Sequence, residues 1–160
     1  MRLLFVVLCL AAAPWAARAQ QQYWYDGEHR RPLWSDPSVV ADFSERSAAK
    51  TRVLKPPALV KGEGVRHSPV FRDGRDDASP RRALPGGVIV RFDRALSAEQ
   101  RAALIERHRL QVVRELGDEG HALLVSSAPG LPALELANRL YESGDFVAAS
   151  PNWWRPRALK

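Results

Sequence analysis

GVIVRFDRALSAEQRAALIERHRLQVVRELGDEGHALLVSSAPGLPALELANRLYESGDFVAASPN, from Gly87 to Asn152, carries the clearest secondary-structure pattern in the chain. GVIVRFD (87–93) is a β-branched run with alternation and predicts a strand. SAEQRAALIERHR (97–109) predicts a helix. Ser97 with Gln100 three residues on forms a capping box, and Glu99 sits near the positive end of the helix dipole. Ala98, Ala102 and Ile105 share one face at helical spacing. LQVVREL (110–116) and HALLVSS (121–127) read as two strands joined by the turn residues Gly117, Asp118, Glu119 and Gly120. LPALELANRLYES (131–143) predicts a second helix. Pro132 stands early, where a missing N–H costs nothing, and Gly144 is a natural stop. Leu134, Leu136, Ala137, Leu140 and Tyr141 supply its apolar face. FVAAS (146–150) closes with a fourth strand. The order β-α-β-β-α-β predicts an α+β, ferredoxin-like antiparallel sheet over 87–152, with two helices on one face and the other face open.

Upstream of this unit, residues 44–86 carry KPP, KGEG, RDGRDD and SPRR. They predict a largely irregular linker with at most one short strand, near Ser68-Pro69-Val70-Phe71. Residues 20–43 form an aromatic, strand-like segment. YWY at 23–25, the turn pair Asp26-Gly27 and the RRPLW beyond it predict a small hairpin. Its aromatic residues Tyr23, Trp24, Tyr25 and Trp34 are expected to pack on the domain rather than to cage a ligand. The first residues, MRLLFVVLCLAAAPWAARAQ, read as a secretory signal over 1–19: Arg2, an apolar run from Leu3 to Ala13, and Ala17-Arg18-Ala19 at the cleavage site. The apolar run is too short for a permanent membrane anchor. The expected location is therefore exported, periplasmic or extracellular, with no membrane association once the signal is cut. Cys9 is the single cysteine and would leave with the signal, so no disulfide, thiolate metal site or cysteine nucleophile is expected. Loss of Arg2 and Arg18 lowers the formal charge from +6 to +4. That balance suits acidic partners or simple solubility.

No catalytic constellation stands out. His29, His67, His108 and His121 lack metal-ligand spacing, and there is no HExxH, no GxSxG elbow and no Gly-rich phosphate loop. No cofactor, no metal and no enzymatic activity are expected. Nucleic acid is not an expected partner, since the predicted sheet lacks the paired central aromatics that stack bases.

With these elements in place, GGVIVRF, the helix LSAEQRAALIERHRL, the strands VVREL and ALLV, the helix LELANRLYES and the closing FVAASPN resemble the propeptide domain of subtilisin-type secreted serine proteases. The likeness covers about two-fifths of the chain and runs element by element. YWYDGEHRRPLW…VADF is also similar to the segment before such propeptides in some bacterial members. In that family the closing PN leads into a catalytic domain; here the sequence ends ten residues after Ser150, with none of the family's catalytic motifs. The resemblance implies a propeptide-like protein that folds or inhibits a subtilisin-type protease in trans. It further implies that the open sheet face docks on the protease and that the tail Trp153, Trp154, Arg155, Pro156, Arg157, Ala158, Leu159 and Lys160 runs extended through the substrate cleft. Prolines keep such a tail extended, and Trp and Arg are common interface anchors. A free carboxylate after Lys160 would imitate a cleaved product. Adjacent extended residues point to opposite sides, so one of the two tryptophans is expected to fold back on its own domain. An exported structural or adaptor domain, and a remnant of a truncated protease precursor, stay open as alternatives.

Overall fold

A computed structural model describes residues 22–44, 52–54, 66–117 and 119–156. Residues 1–19, the expected signal, lie outside them. The fold is α+β, with three antiparallel sheets and two helices. This is more elaborate than the single sheet predicted from 87–152.

The hairpin comes first. Strands β1 (Tyr23–Asp26) and β2 (His29–Pro32) pair antiparallel with Asp26 opposite His29. The two-residue turn places Gly27 first, at φ 60°, as the primed turns of hairpins require.

The second sheet is ordered β4-β3-β5-β6 and is built from β3 (Trp34–Asp42), β4 (Arg52–Leu54), β5 (His67–Arg72) and β6 (Arg81–Ala83). Three of its strands, β4, β5 and β6, lie within 44–86, where at most one short strand was expected. Val70, Phe71, Ala83 and Leu84, all inside that stretch, are buried to 1% exposure or less. Strand β5 covers the short strand expected near 68–71, whereas the paired arginines of β6 disguise it as charged linker. Burying a guanidinium is tolerable only when it is paired. Arg72 and Arg82 are buried here, and each meets an aspartate.

Strand β7 (Val88–Arg91) opens the third sheet. Helix α1 (Ala98–Arg107) comes next, with both capping-box bonds formed: Gln100 N donates to Ser97 Oγ at 3.2 Å, and Ser97 N donates to Gln100 Oε1 at 2.8 Å. Its inward residues are Leu104 and Ile105, while Ala98 and Ala102 are exposed. The larger side chains bury more apolar area, so they win the inner face over the alanines that share the predicted stripe. Strands β8 (Val112–Glu115) and β9 (Ala122–Val125) form the hairpin, with a bulge between Val112 and Arg114. Helix α2 (Leu131–Glu142) has Pro132 in its first turn and Gly144, at φ 75°, just past its end. Strand β10 (Ala148–Pro151) completes the sheet in the order β10-β7-β9-β8.

The core of this sheet is Val88, Val90, Phe92, Leu123, Val125, Phe146 and Ala149 against Ala137 and Leu140 of α2. The start of α2 serves a second cluster: Ala133 and Leu134 pack with Leu33, Phe71 and Leu84. One helix thus ties the third sheet to the second.

Candidate functional site

The C-terminal segment is the contact expected from sequence, and its geometry derives from β10. Asn152 N donates to Gly87 O at 3.1 Å, continuing the edge of the sheet. The chain then crosses to the other sheet. Trp154 and Ala83 form an isolated antiparallel bridge, Ala83 N to Trp154 O at 3.0 Å and Trp154 N to Ala83 O at 2.9 Å. The two indoles enter different apolar clusters. Trp153 joins the Leu33–Phe71–Leu84 cluster and meets Trp24 edge-on at 5.4 Å between ring centroids. Trp154 packs with Ala41, Val70 and Ala83 and meets Phe43 at 6.0 Å. Both tryptophans, not one, are therefore held by the protein's own fold. Arg155 and Pro156 are exposed beyond them, and Arg157, Ala158, Leu159 and Lys160 lie outside the described residues.

Arg82 explains part of this grip. Its guanidinium lies 4.8 Å from the rings of both Trp24 and Trp153, and Nη2 donates to Asp73. Its Nε and Nη1 have no hydrogen-bond partner among the described residues. Two indoles flank the group instead, a desolvated cation–π arrangement worth about 2 kcal/mol. The hairpin and the C-terminal segment are thereby clamped through one side chain of β6.

A second charged knot holds β3, β5 and β6 together. Asp36 Oδ2 accepts from Arg72 Nη2 at 2.7 Å, Arg72 Nε at 3.0 Å and Arg81 Nε at 3.1 Å. Burial alone would push the Asp36 carboxyl up. The hydrogen bonds from Ser38 and the charge of Arg72 outweigh it and hold the group below its usual value. Arg72 Nη1 also donates to the carbonyl of Asp77, closing the loop between β5 and β6. At the far end of α2, Tyr23 and Tyr25 both donate to Glu142 Oε1, at 2.8 and 2.9 Å. Tyr25 stacks on Tyr141 at 4.2 Å. These aromatic residues dock the hairpin on the helix. Both phenols titrate above their ordinary value, Tyr23 chiefly through its bond to Glu142 and Tyr25 chiefly through burial.

The other expected contact is the second face of the third sheet. Register puts Ser150, Ile89, Leu124 and Arg114 in one row across β10, β7, β9 and β8, and Ala148, Arg91 and Ala122 in another. Cross-strand partners stand on the same face. None of these residues belongs to any of the three apolar clusters. The face is small-residue and apolar in its middle and carries arginine at two points. Val113 and Val147 are exposed at its margins. Sequence indicates that such a face exists, but only pairing register says which residues occupy it.

Among the described residues no group of His, Cys, Asp and Glu is arranged to hold a metal ion, and no helix is long and apolar enough to cross a membrane. His108 Nε2 lies 2.7 Å from Asp145 Oδ2 and its ring sits beside Phe146, tying the end of α1 to the segment before β10. No protein-family model, no curated protein and no solved structure matches this chain.

Proposed function

We propose that this is an exported, non-enzymatic, propeptide-like protein that assists folding of, or inhibits, a subtilisin-type serine protease in trans. The observation that carries the reading is the 87–152 unit. Its strand order, β10-β7-β9-β8 with every pairing antiparallel, supports a ferredoxin-like unit embedded in the larger fold, and its second sheet face lies outside the protein's own clusters. In this reading that face docks on the protease, and the segment after Trp154 enters the substrate cleft by strand addition, where main-chain bonds give affinity and side-chain pockets give specificity. Trp153 and Trp154 fix where the tail leaves the body, and the reaching part begins at Arg155. Holding the exit point rigid lowers the ordering cost of binding. A binder of the native protease present at about 100 times its Kd stabilises that state by about 2.7 kcal/mol. Binding the folding transition state as well would speed folding of a kinetically trapped protease.

One observation favours a second reading, an exported structural or adaptor domain: both tryptophans are taken up by internal packing. The experiment that separates the two is refolding of a denatured secreted subtilisin-type protease with and without this protein. Activity recovered only with it, and held down while it stays bound, supports the propeptide reading. No rescue and no inhibition at micromolar concentration favours the adaptor.

A further inference from the structure

Three of the tryptophans are accounted for by packing: Trp24 and Trp153 join the Leu33–Phe71–Leu84 cluster, and Trp154 joins Ala41, Val70 and Ala83. Trp34 is not. It is half-buried, belongs to none of the three clusters, and its indole has no ring contact or hydrogen bond among the described residues. Its backbone is fixed opposite Arg72 in the pairing of β3 with β5. The side chain lines a cleft of about 400 Å³ together with Trp24, Asp26, Arg31, Asp73 and Arg82. That volume lies within the roughly 300–1,000 Å³ of small-ligand sites. Every one of these residues lies outside the 87–152 unit, so the cleft is independent of the protease reading. Trp24 and Arg31 are cross-strand partners in the hairpin and stand on one face of it. Arg82 is buried, and its Nε and Nη1 have no hydrogen-bond partner among the described residues, so donor capacity is left over at the cleft wall.

We infer that this cleft binds a short neutral saccharide. Its charges cancel: Asp26 stands 3.9 Å from Arg31, and Asp73 pairs with Arg82. An anionic ligand would have to approach both carboxylates, and a cationic one both guanidiniums. A cation has the further obstacle that the Arg82 guanidinium already lies 4.8 Å from the Trp24 ring. A neutral polyhydroxyl compound uses both signs at once, because its hydroxyls donate to carboxylates and accept from guanidiniums. The indoles supply what a sugar needs besides. An aromatic face is apolar and electron-rich, which suits the C–H-lined face of a pyranose ring, and the Trp34 N–H is left to donate at the ring's edge. Trp34, held by a strand, is a rigid platform, which lowers the ordering cost of binding.

The test is isothermal titration calorimetry and tryptophan fluorescence on the full chain. The neutral probes are cellohexaose, xylohexaose, maltohexaose and N-acetylchitohexaose; oligogalacturonate is the anionic control and choline the cationic one. At least one neutral probe should bind with a Kd below about 1 mM and shift the tryptophan emission. Trp34→Ala should weaken that binding about tenfold or more and remove most of the shift, whereas Trp34→Phe, which keeps a stacking face, should lose less. Asp26→Asn, at an exposed carboxylate outside the core, should weaken it about three- to tenfold and keeps the test decisive if Trp34→Ala fails to fold by circular dichroism. Absence of binding by every neutral probe at about 10 mM overturns the inference. Binding of oligogalacturonate or choline alone overturns the neutral-saccharide assignment, and saccharide binding unchanged in both Trp34→Phe and Asp26→Asn overturns the site.

Discussion

Cutting the chain at two neighbouring points separates the structural role of the tryptophans from any role of the tail. A chain ending at Asn152 loses both indoles and the bridge; one ending at Trp154 loses only Arg155 to Lys160. The bridge contributes two backbone hydrogen bonds, each worth about 1 kcal/mol net. Ala83 is fully buried, so its amide would be left without an acceptor unless water enters. Each half-buried indole contributes on the order of 1 kcal/mol through burial, and each edge-on aromatic contact about 0.5–1.5 kcal/mol more. Against this, removing Trp153 opens Arg82 to water and satisfies its two unpartnered nitrogens, and an unfolded chain already buries part of its indole surface. The net expectation is a loss of about 4 kcal/mol for the cut after Asn152, a large share of the roughly 5–15 kcal/mol a domain possesses. The cut after Trp154 should cost less than about 0.5 kcal/mol. Urea unfolding monitored by circular dichroism reads this directly, since a stability change moves the midpoint at constant slope. Equal midpoints for the two truncations would refute the packing argument. If the tail enters a protease cleft, the chain ending at Trp154 should stay folded yet lose inhibition.

Single sites give three more tests. Asp36→Ala leaves Arg72 buried without its carboxylate and should cost about 3–5 kcal/mol in urea unfolding, whereas a double exchange to well-packed apolar residues should recover much of it. Ser97→Ala removes the α1 cap and should cost about 1 kcal/mol, with the loss of amide exchange protection confined to the first turn of that helix. The hydrogen bond from His108, opposed by burial and aided by Arg107, holds the Asp145 carboxyl below its ordinary value. Its stabilising contribution is therefore fully present above the unfolded carboxyl pKa and lost as pH falls through the folded one. Asp145→Asn should flatten the acid limb of a stability–pH profile, and an unchanged limb would contradict the assignment.

Local features of this fold are legible in the residues that make them. The capping box at Ser97 and Gln100, the proline and glycine bracketing α2, and alternation in VIVR and ALLV lie within a few residues of the elements they control, so the β-α-β-β-α-β order can be read from Gly87 onward. The Asp26-Gly27 hairpin is legible for the same reason. The rest depends on groups far apart in the chain. The short strand near 68–71 is legible and is found as β5, but residues 81–83 look like charged linker because the groups that make burial of Arg82 tolerable, Asp73 and the rings of Trp24 and Trp153, lie on other segments. Which side of α1 faces inward depends on the surface that the sheet offers to Leu104 and Ile105. The tryptophans at 153 and 154 look available for a partner until the edge of β6 appears beside them, with backbone groups at Ala83 to pair and apolar clusters to join. Caps and periodicities act between neighbours along the chain; desolvated charge pairs and a strand edge are satisfied only by groups that folding brings together.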